Sequence, residues 1–290
     1  PEALDMNLAA IPGVYNPSLT QHLIDTCEDR GDALAVIDLE GDFKPSAEST
    51  DSFKTRIDNA TVTTTVNTLK DRSIDSSYAA AYFPWVQILD PIADRLVYTP
   101  PSVVALGTIS NSENKSELWV APAGFNRGGL TSGAAGVPVV GITQKLTSKQ
   151  RDTLYEANIN PIASFPSEGI VVFGQKTLQV TPSALDRINV RRLLIFLKKE
   201  VSRIANGILF DQNVQVTWNR FTGKIEPFLR SVQTGLGLTE FKVVLDSSTT
   251  TPDLIDRNVL YAKIFLKPAR AIEYIAIDFN ISNTGAAFDD

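Results

Sequence analysis

The sequence is poor in sulfur and imidazole: one cysteine, Cys27, one histidine, His22, and one methionine in 290 residues. A single cysteine rules out an intramolecular disulfide and leaves the redox compartment undiagnosed. A single histidine excludes metal sites that need two imidazoles, and any Ser-His-Asp or Cys-His site would have to use His22. No apolar run approaches the roughly 20 residues that span a bilayer as a helix. The opening Pro1-Glu-Ala-Leu-Asp has neither the basic start nor the apolar segment of a secretory signal. It also lacks an initiator methionine, which points to a fragment or a processed chain. An excess of positive charge is missing too. The net charge of −6 argues against broad nucleic-acid binding, although it leaves room for a local basic face.

What is present suits a globular chain of two domains: 43% of the residues are apolar, enough for a sizeable core, and 21% are charged. The organising stretch is Asp75 to Gly107. The apolar run Tyr78-Ala-Ala-Ala-Tyr-Phe83 meets Pro84-Trp85 and continues as Val86-Gln-Ile-Leu89, and Arg95-Leu-Val-Tyr-Thr99 follows a turn. β-Branched and aromatic runs bounded by turn residues read as strands, and Ser102 onward, after two prolines, opens a helix. Tyr78, Phe83, Trp85 and, further on, Trp119 are the expected aromatic core. Nothing in this stretch carries obvious chemistry.

Before it, Ser18-Leu-Thr-Gln21 has the capping-box pattern of a helix start. Leu19, Leu23, Ile24 and Cys27 share one face of that helix, and Gly31 ends it. Cys27 reads as a small core residue and His22 as a surface one. Ala33 to Leu39 is a buried strand and Ser52 to Arg72 a helix, which gives a β-α-β rhythm. Asp38, Glu40 and Asp42 at the strand's end are the one acidic group that could hold a divalent cation. The plainer reading is a solvated loop with a helix cap.

After it, Gly128 to Gly136 reads as a flexible loop or domain junction, without the spacing of a dinucleotide fingerprint or a nucleophile elbow. A helix starts near Thr147, and strands cover Ile159–Phe165 and Ile170–Phe173. Gly169 to Thr177 misses a phosphate-binding loop: Gln175 stands where lysine is required, and large apolar residues fill the loop. The clearest helix runs from Asn189 to about Phe210. Val190, Leu194, Leu197, Val201, Ile204 and Ile208 form its buried stripe. Arg191, Arg192, Lys198, Lys199 and Arg203 occupy much of the remainder, a basic face for an acidic protein surface or a phosphate backbone, or simply a solvated face. A second helix covers Gln212–Leu236. Phe241 to Leu245 is a strand, and two longer ones, Val259–Leu266 and Ala271–Ile281, close the chain. In the last, Ile272, Tyr274, Ala276, Asp278 and Asn280 alternate with Glu273, Ile275, Ile277, Phe279 and Ile281. An amphipathic strand with free edges is a place for another chain to pair. The expected fold is thus mixed α/β: two packed subdomains with mixed sheets, the second ending in a long antiparallel strand pair.

Several segments, taken in order, resemble the C-terminal half of the contractile-tail sheath proteins of myovirus-type bacteriophages. They are Asp75-Ser-Ser-Tyr-Ala-Ala-Ala-Tyr-Phe-Pro-Trp85, Pro100-Pro-Ser-Val-Val-Ala-Leu-Gly107 and Trp119-Val-Ala-Pro-Ala-Gly124. Ile159-Asn-Pro-Ile162, Val172-Phe-Gly-Gln-Lys-Thr-Leu178, Asn189-Val-Arg-Arg192 and Pro268-Ala-Arg-Ala-Ile-Glu-Tyr-Ile275 complete the set. The resemblance implies a structural polymer rather than an enzyme, with no cofactor. Its subunits stack as rings around a tube and contract to drive it through the host envelope.

The implied partners are neighbouring sheath subunits, the tail tube protein, and baseplate and tail terminator proteins, without direct nucleic-acid binding or membrane insertion. The implied location is the virion tail, assembled in the host bacterial cytoplasm. Residues 1–130 would be part of the core sheath domain and 131–290 the inner C-terminal domain. Ala271 to Asp290 would be the C-terminal arm, while the N-terminal arm and outer domains would precede Pro1. Subunit contact is expected from Arg191, Arg192, Lys198, Lys199 and Arg203, and from Ile272, Tyr274, Ala276, Asp278 and Asn280. Two other readings stay open. One is an α/β enzyme using Asp38, Glu40 and Asp42. The other is a nucleic-acid module using the basic helix face.

Overall fold

The computed structural model describes residues 5–40, 62–90, 92 and 94–276. Its centre is a five-stranded sheet in the order β1-β2-β3-β7-β8: Leu8–Ala10, Leu34–Ile37, Ala79–Phe83, Ile159–Phe165 and Gly169–Val172. The first four strands run parallel and β8 turns back antiparallel. Parallel strands covered on both faces are apolar throughout, and β2 and β3 are buried at every position.

Strand periodicity sends alternate side chains to opposite faces. On one face Ala35, Ile37, Ala81, Phe83 and Ile159 meet three helices: α1 (Pro17–Arg30), α2 (Val62–Asp71) and α4 (Ser148–Glu156). On the other, Leu34, Val36, Ala80, Tyr82 and Ile162 meet α3 (Pro101–Lys115) and the first turns of α5 (Ile188–Asn206). A smaller antiparallel sheet, β5-β4-β6 (Arg95–Thr99, Val86–Asp90, Val139–Ile142), carries the chain out of β3 and back. The pattern of Asp75–Gly107 predicts strand, turn, strand and helix start; the second strand and the helix form, but the first run divides at Pro84-Trp85 into β3 and β4, which belong to different sheets. The main sheet takes strands from both sides of residue 130.

A third apolar cluster joins α5 to α6 (Gln215–Thr234) and to an antiparallel pair, β9 (Leu238–Val244) with β10 (Lys263–Pro268). The short α7 (Pro252–Asp256) lies between those strands in the chain.

Several local expectations are corrected. The cap of α1 is Asn16, whose side chain accepts from the backbone N–H of Ser18 and Leu19, so Ser18 and Gln21 do not form a capping box. Leu19 is half-exposed, and Thr20 takes its place on the buried face. Thr147 and Gln150 do form one, at the start of α4. The glycine-rich stretch is no flexible junction. Gly128, Gly129 and Leu130 are buried. The backbone there bonds along β8, with Val172 N–H donating to Gly128 O at 2.8 Å and Leu130 N–H to Ile170 O at 2.7 Å. Gly128 is needed for closeness: a β-carbon there would lie 2.6 Å from Val172 O.

Candidate assembly surface

The acidic group at the end of β2 is a structural joint. Asp38 is buried, and its carboxylate accepts from Gly13 N–H at 2.8 Å, Ser102 N–H at 3.0 Å and the Ser102 hydroxyl at 2.7 Å. Those three donors occupy both oxygens, so Asp38 caps α3 across the fold instead of facing a cation in a solvated loop. Burial raises its pKa, and the bonds from Gly13 and Ser102 work against that rise. Glu40 is exposed, and Asp42 lies outside the described residues.

The basic face of α5 separates into two parts. Arg191 and Arg192 point inward, contrary to the expectation that they lie on a contact surface. The Arg192 side chain is 2% exposed; its guanidinium donates to Glu113 Oε2 at 2.5 Å and to Leu118 O at 3.4 Å. Arg191 lies over the Tyr78 ring, 4.0 Å from its centroid, and donates to the Ser77 hydroxyl. Burial lowers the pKa of both guanidinium groups. Apolar residues at helical spacing draw the first half of α5 onto the sheet, and the two arginines travel inward with them because Glu113 and Tyr78 stand ready to receive their charge.

What remains outside is Lys198, Lys199 and Arg203. Lys199 donates to Asp5 Oδ1 and to Met6 O, both at 2.7 Å, and Arg203 pairs with Glu200. With Arg30, Asp32 and Glu117 these residues line an open groove of both charge signs. Phosphate backbones are met by stripes of one sign, which this mixed surface does not present.

Among the described residues, β9 and β10 pair only with each other. Phe241, Val243, Ile264 and Leu266 face the helices. Glu240, Lys242, Lys263, Phe265 and Lys267 face solvent, with Lys267 and Glu240 paired across the strands. A two-stranded sheet packed on helices by one face leaves main-chain donors and acceptors along its outer edges, which is the geometry another strand requires.

The segment after β10 departs from expectation. Residues 271–276 are not a strand, and β10 pairs with β9 rather than with them. Ile272, Tyr274 and Ile275 are all about 80% exposed, so among the described residues the alternation corresponds to no buried apolar face. Ala276 is exposed as well, while Asp278 and Asn280 lie outside the described residues. The inward-facing residue is Glu273, whose carboxylate accepts from Arg187 Nε at 2.6 Å and Nη2 at 2.8 Å. Sequence reasoning missed this pair. Its only signal was one acid in an otherwise apolar run, with a lone arginine just ahead of the long helix.

Among the expected core aromatics, Phe83 and Trp85 are buried. Tyr78 and Trp119 are half-buried. Trp119 donates its indole N–H to Gly235 O at 2.7 Å, tying the loop after α3 to the end of α6.

Comparison with known proteins decides the family. Residues 180–282 match the phage tail sheath C-terminal domain. The tail sheath protein of Enterobacteria phage T4 is 34% identical over 218 residues, 75% of this chain. That of Vibrio phage KVP40 is 35% identical over 232 residues, 80% of this chain. The chain belongs to the tail sheath family. It spans about a third of the length of these curated relatives, 32% of each. In fold it matches the anti-feeding prophage helical sheath in its contracted state, with a TM-score of 0.74 and 20% identity over 96% of this chain and 71% of that one. The sheath C-terminal domain match takes in α5, α6, the β9–β10 pair and the segment that carries Glu273. Lys198, Lys199, Arg203 and the β9–β10 pair, which joins no other strand among the described residues, therefore fall together in one family-defined unit.

Proposed function

We propose that this chain is the assembly portion of a contractile sheath subunit, which polymerises around a tail tube and shortens to drive that tube through a host envelope. The single observation that carries the reading is the agreement of sequence and fold with sheath proteins over most of the chain. The structure supplies a means. The three-layer core is densely packed and suited to move as a rigid body, while the β9–β10 edges offer main-chain pairing that keeps subunits linked as side-chain contacts change.

On this reading the partners are neighbouring sheath subunits at the strand edges and a tube protein, with baseplate and terminator proteins at the ends of the polymer. The location is a virion tail assembled in the bacterial cytoplasm. Lys198, Lys199 and Arg203 are contact residues, while Arg191 and Arg192 hold the subunit rigid. The role is structural and asks for no reacting group. The acidic-turn alternative loses its motive because both oxygens of Asp38 are engaged by Gly13 and Ser102.

Electron microscopy of the full-length protein that carries this chain tests the proposal. Tubular polymers are expected. Persistent monomers under all ionic conditions would reject it.

A further inference from the structure

The Glu273 contact is more than an ion pair. Arg187 grips the carboxylate with two parallel bonds, and Gln175 Nε2 donates to Oε1 from 3.3 Å. The Tyr155 phenol lies against the same carboxylate, and its pKa is raised well above the tyrosine range by burial and by Glu273. Behind it Lys176 donates to Tyr155 O at 2.7 Å and sits over the Tyr155 ring, 4.4 Å from its centroid. The wall is set by the core: Gln175 is 3% exposed, and its carbonyl accepts from Ile188 N–H at the start of α5. Arg187 and Glu273 keep only 24% and 16% of their side-chain surface. A bidentate guanidinium with further donors in a fixed frame is a carboxylate receptor.

The guest is equally specific. Beyond the main-chain bond from Ala269 N–H to Gly237 O, the segment 270–276 has no regular structure. The apolar neighbours of Glu273 stand in solvent, so the receptor holds the segment by one side chain and leaves Ile272, Tyr274 and Ile275 outward.

We infer that Tyr155, Gln175 and Arg187 form a carboxylate-binding notch that fixes the root of the C-terminal segment to its own core at Glu273. The described segment is then anchored at Glu273 as well as at the end of β10, and Ile272, Tyr274 and Ile275, held outward around that anchor, form the apolar face offered to a second copy of the chain. This deepens the sheath reading and rests on it for the second copy. The notch itself stands on the isolated subunit.

The test is chymotrypsin cleavage at the Tyr274–Ile275 bond in the folded chain. Each rate is divided by that of a peptide of residues 268–278 carrying the same residue at 273. Glu273→Ala should raise the normalised rate about fivefold or more. That position lies outside the packed core, so the variant folds. Arg187→Ala should do the same. The exchanged double variant, Arg187→Glu with Glu273→Arg, should recover most of the protection. An unchanged rate in Glu273→Ala, or no recovery in the exchange, would overturn the notch. The assay reads the monomer, so a failure to polymerise in the microscope would reject the sheath reading while leaving the notch standing.

Discussion

Asp38 receives Ser102 twice, from the backbone N–H to Oδ1 at 3.0 Å and from the hydroxyl to Oδ2 at 2.7 Å, across 64 residues of chain. The helix it caps begins after Pro100, which has no side-chain acceptor to offer, so β2 supplies the cap that the local sequence lacks. Asp38→Ala strands the buried N–H of Ser102 away from water and removes the acceptor of the partly buried Gly13 N–H. At about 1–3 kcal/mol for an unsatisfied buried group, the expected loss is about 2–4 kcal/mol, read from urea denaturation midpoints. Ser102→Ala removes one hydroxyl and should cost about 1 kcal/mol. Equal effects would show that the cap is not what Asp38 provides.

The same residue predicts a pH effect. Burial holds its folded pKa above the unfolded value of about 3.9. The folded state therefore binds the proton more tightly. Stability from this group is fully present below about pH 4 and is lost as pH rises through the folded pKa. Asparagine does not titrate, so the stability advantage of the wild-type chain over Asp38→Asn should be largest in acid and shrink toward neutrality. Denaturation of both chains at several pH values checks this. A gap that widens with rising pH would contradict the assigned direction.

Arg192 and Glu113 make a second asymmetric pair, one side chain 2% and the other 37% exposed. Glu113→Ala leaves a nearly buried guanidinium without its partner. Breaking a fully buried pair costs about 3–5 kcal/mol. With Glu113 more than a third exposed, we expect about 2 kcal/mol. Arg192→Met fills a similar volume without the charge, while Glu113 can turn to water. It should stay within about 1 kcal/mol of wild type. A larger loss from Arg192→Met than from Glu113→Ala would reverse the argument.

Gly107 closes the organising stretch for a reason visible only in three dimensions: a β-carbon there would lie 2.2 Å from the carbonyl oxygen of Ala135. The obstacle is backbone rather than a movable side chain. Gly107→Ala should therefore destabilise by at least about 2 kcal/mol, even though alanine favours helices by about 1 kcal/mol over glycine. Thermal melting decides it, since helix propensity alone predicts a gain.

These sites show where sequence reasoning stops. The strand character and the helix of Asp75–Gly107 were legible because apolar runs and prolines punctuate them locally, but the break at Pro84-Trp85 that makes two strands of the first run was not. The stripe of α5 was legible in part: Val190 and Leu197 are buried, Leu194, Val201, Ile204 and Ile208 only partly, and the buried Leu193 and Ile195 lay outside it. The inward turn of Arg191 and Arg192 was not, because their partners Glu113 and Tyr78 are distant in sequence. A count of charges around a helix treats them as solvated. Gly128 to Gly136 looked flexible because glycine permits flexibility, yet here it serves close approach to β8. The two-residue alternation after Pro268 showed a segment able to bury a face. It could not show that Ile272, Tyr274 and Ile275 stand in solvent, nor that Glu273 faces inward.

That correction changes what removing the C-terminal segment should do. Had Ile275 been packed, deletion from Ala271 onward would cost several kcal/mol of core burial. With Ile272, Tyr274 and Ile275 about 80% exposed, the described part of the segment contributes chiefly the Glu273 contact with Arg187. A partly buried charge-assisted bidentate pair is worth about 1–2 kcal/mol, and each kcal/mol moves the melting temperature of a domain this size by about 2–4 °C. The truncated chain should therefore melt only about 2–8 °C below the intact one. In the full-length protein the same deletion should abolish tubular polymers if the sheath reading holds, because the exposed apolar residues proposed to meet a second copy are gone. Calorimetry and electron microscopy on the same truncation separate the two roles. A fall of more than about 15 °C would place the segment in the core, and undiminished polymer formation would remove it from the interface.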